Sequence, residues 1–283
     1  MISIDKLSFA FRRSQPLFKD LNLTLQSGRT YGLFGLNGAG KTTLLNHVSG
    51  MLFPARGECR ILGKPSRDRL PETMSELFIL PEEFELPAVS AETFIQLHAP
   101  FYPRFDLQKI EKILIEFEID SQKNLPELSY GQRKKFLIAF GLAANTKILL
   151  MDEPTNGLDI PSKSQFRKIM ATATQQERCT VISTHQVRDL SALIDQFTVL
   201  YNGKIIFDQS IERISKTLQF KKVRDEEPLK LIYAEEGPDG KHVICLQQEN
   251  VNDTNIDQEL LFNAVIKNPG ALNRAFNEEA TLS

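Results

Sequence analysis

Residues Gly35-Leu36-Asn37-Gly38-Ala39-Gly40-Lys41-Thr42, followed by Thr43, match the spacing G-x-x-x-x-G-K-[ST] without a mismatch. Just before them, Gly28 turns the chain and Tyr31 to Phe34 is a short apolar run that reads as a buried strand. Just after them, Thr43 to Ser49 reads as a helix. Strand, glycine loop and helix in that order constrain this chain more than any other feature. The glycines let backbone N–H groups converge, and the helix N-terminus adds partial positive charge, so the loop is an anion nest. Lys41 is placed to bring a point charge to the β and γ phosphates of a nucleotide, and the Thr42 hydroxyl to join a magnesium shell. A chance glycine turn would lack the flanking strand and helix.

The remaining chain alternates strand and helix signals. Ile2, Ile4, Leu7 and Phe9 suggest one strand and Leu21, Leu23 and Leu25 another, ahead of the glycine loop. Residues 51–76, with Pro54, Gly57, Gly63, Pro65 and Pro71, are turn-rich. Leu77 to Leu80 reads as a strand. From roughly 82 to 128 the pattern is helical. Phe94, Leu97 and His98 fall on one helix and Ile110, Ile113, Leu114 and Phe117 on the next, parted by Pro100 and Pro103. Ser129 opens an amphipathic helix with Phe136, Leu137, Phe140 and Ala143 on one face. Ile148 to Met151 and Thr180 to Ser183 are strands, the second followed by Thr184 and His185. Phe197 to Leu200 and Ile205 to Phe207 flank the hairpin turn Asn202-Gly203. This alternation implies an α/β fold with a mostly parallel core sheet. After about residue 210 the texture changes. Leu229 to Tyr233 and Val243 to Leu246 read as strands around Gly237-Pro238-Asp239-Gly240, and Gln258 to Ile266 as a short helix. The expected organisation is a large domain over 1–210 and a small α+β appendage over 211–283.

With 41% apolar residues, the 283-residue chain can form a core without staples. A formal net charge of -2 argues against a generic nucleic-acid coat, which needs a basic surface. Cys59, Cys179 and Cys245 lie far apart with no C-x-x-C pair, as expected of reduced thiols in a reducing cytosol. The opening MISIDKLSFAFRR has no apolar signal core, and no stretch has the ~20 apolar residues of a spanning helix. The expectation is a cytoplasmic protein whose membrane work, if any, is done through a partner. His47, on the helix after the loop, reads as a packing or surface residue, and Lys221 to Glu227 as a solvated strand or loop.

Phosphoryl transfer also needs a carboxylate for the metal. Asp152 ends the strand Ile148 to Met151 and fits a Walker B acid, with Glu153 next to it. Alone, Asp152-Glu153-Pro154 would read as a solvated acidic turn. Beside a complete phosphate loop, Asp152 reads as the magnesium ligand and Glu153 as the group that polarises the attacking water.

At this point the residues resemble one family. Leu128-Ser129-Tyr130-Gly131-Gln132 resembles the LSGGQ signature of ATP-binding cassette (ABC) proteins, and it lies between the glycine loop and Asp152-Glu153, in that family's order. Thr155-Asn156-Gly157-Leu158-Asp159 resembles its D-loop, and Ser183-Thr184-His185 its switch histidine. The match covers roughly residues 1–208. The resemblance implies a P-loop NTPase of the ABC ATPase class, with an N-terminal antiparallel β subdomain and a helical subdomain over about 82–145. It implies ATP held by Phe11, stacked on adenine, and by the loop Gly35 to Thr43. It implies catalysis by Glu153 and His185, and magnesium at Thr42, Asp152 and Glu82. Ser129, Tyr130, Gly131 and Gln132 would serve the nucleotide of a second subunit in a head-to-tail dimer, homodimer or paralogue heterodimer, with Asp159 on the seam. Two departures stand out. Tyr130 replaces a glycine of the signature, and Glu82, in Phe78-Ile79-Leu80-Pro81-Glu82, replaces the glutamine of the Q-loop. Glu82 and the segment Tyr102-Pro103-Arg104-Phe105-Asp106 are similar to the exporter-type branch in bacteria.

The leading expectation is therefore the ATPase subunit of an exporter. It would sit on the inner face of the cell membrane and drive a separate polytopic membrane subunit docked on the helical region 82–128. The alternative is a soluble ABC ATPase acting on a macromolecular complex. Its ribosome-acting members usually carry two cassettes and its DNA-repair members long coiled coils, and neither is visible here. A P-loop kinase would lack the Leu128 to Gln132 element.

Overall fold

In the computed structural model the N-terminal alternation forms β1 (Ile2–Phe9) and β2 (Phe18–Leu25), an antiparallel pair. The structure describes residues 1–11, 15–173, 177–223, 231–237, 240–247 and 255–279. The apolar spacing in β1 lengthens from two to three between Ile4 and Leu7, and the pairing register shifts at that point. Lys6 takes a positive φ of 47° there. This bulge returns Leu7 to the buried face beside Ile2 and Ile4. β3 (Arg29–Phe34) then leads through the glycine loop to α1 (Lys41–Val48).

The turn-rich stretch contains more structure than its composition suggests. β4 (Arg56–Ile61) pairs antiparallel with β1, and the short β5 (Lys64–Pro65) pairs with β4. In β4 only Cys59 and Ile61 are buried, so a half-exposed strand hides among glycines and charges. The resulting sheet has the order β2-β1-β4-β5. It is the expected antiparallel subdomain.

α2 (Pro71–Met74) precedes β6 (Leu77–Leu80). The region expected to be helical from 82 onward is only partly so: α3 (Ala91–His98) and α4 (Leu107–Glu116) are joined by a single turn, Ala99–Phe101, and flanked by loops. Pro81 and Pro87 hold the entry non-helical. Asp106 caps α4, accepting from the Lys109 N–H at 2.9 Å. Arg104 donates to the Asn145 carbonyl at 3.1 Å and pairs with Glu76. Tyr102 to Asp106 is thus a structural joint between α4 and the sheet.

α5 (Tyr130–Ala143) is not amphipathic as expected. Lys134 and every residue from Phe136 to Ala143 are buried. The helix lies between α4 and the sheet, so it is covered on all sides along its second half. β7 (Ile148–Asp152), α6 (Ile160–Thr172), β8 (Cys179–Thr184), β9 (Gln196–Tyr201) and β10 (Lys204–Ser210) follow. The core sheet runs β10-β9-β3-β8-β7-β6, parallel throughout except where β10 hairpins against β9. β7 and β8 are buried at every position, as strands covered on both faces must be.

Beyond α7 (Ile211–Thr217), β11 (Leu218–Val223), β12 (Leu231–Gly237) and β13 (Gly240–Leu246) form an antiparallel sheet of order β11-β13-β12. α8 (Gln258–Lys267) packs on β12, β13 and β9, and α9 (Pro269–Glu279) packs on α7, α8 and β10. Leu229, Pro238 and Asp239, and Arg224 to Glu227 of the charged run, lie outside the described residues. Leu260, Leu261, Val265 and Phe276 join the same apolar cluster as Phe197, Val199 and Phe207. Cys59, Cys179 and Cys245 are buried free thiols, and burial pushes the first two up to about 11 and about 12.

Candidate active site

Strand register gathers the site. Phe34 lies opposite Thr184, Asp152 opposite Ser183, and Leu80 opposite Met151. The carboxyl ends of β3, β6, β7 and β8 therefore finish together, and Gly35, Glu82, Glu153 and His185 emerge at one edge. This is where ligands bind in open parallel sheets.

The glycine loop is shaped by its neighbours. A Cβ at Gly35 would come within 2.6 Å of the Leu200 carbonyl oxygen, so only glycine allows β9 that close. Gly40 has φ 103°, and a Cβ there would meet the Phe18 ring at 2.9 Å. Gly40 caps α1 without a side chain, and the first turn holds no acidic residue. The N–H groups of that turn thus have no side-chain acceptor, which suits an anionic ligand.

The two acids lie in different settings. Asp152 is buried, accepts a short hydrogen bond from the Ser183 hydroxyl and meets the Thr42 hydroxyl. Burial holds its carboxyl above the ordinary range, and those two hydroxyls oppose the shift. Glu153 is also buried, with a positive φ of 45°, a strained conformation for a residue with a side chain. Its Oε2 accepts from Thr184 Oγ1 at 2.9 Å. Its Oε1 accepts from the His185 N–H at 3.0 Å and lies 2.9 Å from His185 Nδ1. Lys41 Nζ stands 3.4 Å from the same oxygen while donating to the Gly35 carbonyl at 2.9 Å. The loop lysine thus lies beside the glutamate.

These groups border a cleft of about 660 Å³, lined by Phe11, Leu17, Asn37 to Thr43, Glu82, Glu153, Asn156 and His185. Phe11 stands exposed at its mouth, edge-on to Phe9 at 4.9 Å. Phe9 in turn meets His47 edge-on at 4.6 Å. His47 is fully buried, its Nδ1 is 2.7 Å from the Thr43 carbonyl, and burial lowers its pKa. It is a core residue beneath the loop. Gly35 and Leu36 stand at the start of the loop without lining the cleft, and Asp152 lies behind Thr42.

Ser129 to Gln132 are not brought into this cleft. Ser129 and Gln132 close a capping box on α5: the Ser129 hydroxyl accepts from the Gln132 N–H at 3.2 Å, and Gln132 Oε1 from the Ser129 N–H at 3.0 Å. Tyr130 donates to the Glu82 carbonyl at 2.7 Å and stacks on Phe84 at 5.4 Å. Asp159 caps α6, accepting from the Ser162 N–H at 2.9 Å, and Ser162 holds its carboxyl below the usual range. Ile160, next to it, is 83% exposed.

Several contributors escaped the sequence reading. Asn156 donates to the Glu82 carboxylate at 3.0 Å. Thr184 was noted only as part of a motif. Asp189 accepts from Thr155 Oγ1 at 2.8 Å and Lys163 Nζ at 2.7 Å, and Lys163 also donates to Gln186 Oε1 at 2.8 Å. The segment just after His185 is thereby tied to the D-loop and α6. On its other side, Gln258 of α8 donates to the Ser191 carbonyl at 3.0 Å.

The donor set suits a small hard cation: one hydroxyl and carboxylates, with no preformed cluster of three or more His, Cys, Asp or Glu among the described residues. Magnesium characteristically takes one or two carboxylates and completes its shell with substrate phosphates and water.

Residues 18–156 match the family described as ABC transporter. The methionine import ATP-binding protein of Carboxydothermus hydrogenoformans is 31% identical over 219 residues, covering 73% of this chain and 65% of that protein. The SkfA peptide export ATP-binding protein of Bacillus subtilis is 27% identical over 228 residues, 78% of this chain and 94% of that protein. The energy-coupling factor transporter ATP-binding protein of Methanocaldococcus jannaschii is 30% identical over 216 residues, 73% of this chain and 77% of that protein. Among solved structures, a dimeric bacterial ABC transporter cassette shares the fold with TM-score 0.66 at 21% identity, over 75% of this chain and 99% of that one. With its glycine loop, paired acids and signature in family order on the family's fold, the chain belongs to the ABC transporter family, as one of its ATP-binding ATPase subunits.

Proposed function

We propose that the chain is the motor subunit of an exporter and hydrolyses ATP at two sites shared by a head-to-tail dimer. One observation carries this reading. The cleft joins Lys41, Thr42, Glu153 and His185, while Ser129 to Gln132 sit outside it on a different helix. A second copy, or a paralogue, would bring its signature over the nucleotide. The dimeric cassette of the same fold supports this arrangement.

In each site Phe11 would stack on adenine and the loop Gly35 to Thr43 would cradle the phosphates. Thr42 and Asp152, with Glu82 nearby, would hold magnesium, which supplies charge neutralisation on the phosphate oxygens. Lys41 now leans on Glu153. Lys41 would turn to the phosphates, and the Glu153 carboxylate, oriented by Thr184 and His185, would polarise water. His185, held through Nδ1 by Glu153, keeps Nε2 for the γ-phosphate. Asp159 and the exposed Ile160 would lie on the dimer seam.

No helix of the described residues is long and apolar enough to cross a membrane. The membrane-spanning part would be a separate polytopic subunit, with this chain on its cytoplasmic face. Exposed Leu97, Phe101, Leu107 and Ile115 on the helical region about 82–145 would offer apolar surface for docking. Glu82 and the peptide-export relative support export, and an import protein is also among the relatives. Residues 1–210 would form the ATPase domain and 211–283 an accessory domain.

The test is Glu153→Gln. Turnover should fall by about 100-fold or more, as removal of a general base does. ATP affinity should persist, and light scattering should reveal an ATP-dependent dimer. Wild-type turnover, or a monomer with ATP bound, would overturn the reading.

A further inference from the structure

Lys134 stands on α5 two residues after the signature and is 0% exposed. Its Nζ donates to the Glu153 carbonyl at 2.8 Å and to the Asn156 carbonyl at 3.0 Å. The Tyr130 ring centroid lies 5.4 Å away, within cation–π range. Asn156 N–H also donates to the Glu153 carbonyl, at 3.1 Å. A single ammonium therefore clasps both ends of the turn Glu153 to Asn156.

A buried ammonium is costly, and an apolar residue could fill the same volume without that cost. Burial lowers the Lys134 pKa, while the carboxylates of Glu82, Glu153 and Asp152 act to raise it. None of these carboxylates is its hydrogen-bond partner; both of its acceptors are backbone carbonyls. The turn it clasps contains the positive φ of Glu153. Such a conformation persists only where the surroundings over-determine it. At the other end of the turn, Asn156 reaches the Glu82 carboxylate.

We propose that Lys134 is a positioning residue for hydrolysis. It holds the backbone of Glu153 in its strained conformation and so aims the carboxylate into the cleft. This rests on the reading of Glu153 as the group that polarises water. It would also mean that the helix opened by the signature fixes the chain's own catalytic turn.

The experiment compares Lys134→Met, Lys134→Gln and Lys134→Arg with the wild type. It measures kcat, KM and the stoichiometry of ATP binding on full-length protein. A misplaced catalytic group costs up to about 100-fold, so Lys134→Met should lower kcat by about 10- to 100-fold. KM should stay within about threefold, because the phosphate loop is untouched. Lys134→Arg, which keeps donors for both carbonyls, should recover most of the lost kcat, and Lys134→Gln part of it. A Lys134→Met protein that binds ATP stoichiometrically and turns over within about threefold of wild type overturns the proposal. So does a loss of kcat matched by an equal loss of ATP-binding protein, the outcome of a purely structural role. If Lys134→Met does not fold, Lys134→Gln carries the same test, and wild-type kcat there is equally fatal. Failure of the Glu153 reading shows separately, as unchanged turnover in Glu153→Gln with Lys134 intact.

Discussion

α1 and α5 both open at functional motifs, and their N-termini are finished in opposite ways. Gly40 leaves α1 without a side-chain cap, whereas Ser129 and Gln132 close α5 with a complete capping box. The first is an end whose N–H groups are kept for a ligand. The second is stable by itself, with Ser129 and Gln132 satisfying each other at the surface. One is therefore a binding site within a single chain. In the proposed dimer, the other is a finished surface that a nucleotide held by another chain would approach.

The comparison breaks most sharply on nucleotide affinity. Lys41→Ala removes a charge-assisted contact of about 1.5–3 kcal/mol, so ATP binding should weaken by about 10- to 150-fold in equilibrium titration. Ser129→Arg should leave that affinity within about threefold while abolishing hydrolysis. Equal losses in the two variants would erase the distinction between the helices.

A smaller effect separates the cleft from its supports. Asp189→Asn keeps an acceptor for Thr155 but loses the ion pair with half-buried Lys163. Loosening the segment after His185 should lower kcat by about 3- to 10-fold at unchanged KM. A change in KM alone would place Asp189 in binding rather than in support of the switch histidine.

The smallest effect is thermodynamic and belongs to α1. His47 is buried neutral, with its pKa depressed below that of the unfolded chain. Its contribution to stability is complete above the unfolded value, about 6.5, and is lost as pH falls towards the folded one. The thermal midpoint should drop between about pH 7 and pH 5.5, and drop less in His47→Gln. The same slope in both proteins would remove His47 from the account.

How much of this was legible follows from how local each signal is. Gly35 to Thr42 and Asp152-Glu153 are runs of consecutive residues, so their spacing alone marks them as candidates. α5 was misread as amphipathic because a helix covered on all sides has no polar stripe to reveal. β4 was missed because Gly57, Glu58 and Arg60 mask a strand with only one buried face. Lys134 sits between Arg133 and Lys135, and nothing in a run of three basic residues says which is buried. The contact of Asn156 with Glu82 joins residues 74 positions apart, which only the sheet register brings together.

The central claim is that each catalytic site is built from two chains, and mixing two inactive variants tests it most directly. Lys41→Ala retains a sound signature, and Ser129→Arg retains a sound phosphate loop. Each should hydrolyse ATP poorly alone. In a mixed dimer, one site combines the intact loop of one chain with the intact signature of the other. ATPase activity should therefore rise on mixing to at most about a quarter of wild type, well above either parent. Activity that stays at the sum of the parents, or a Ser129→Arg protein fully active by itself, would contradict the account.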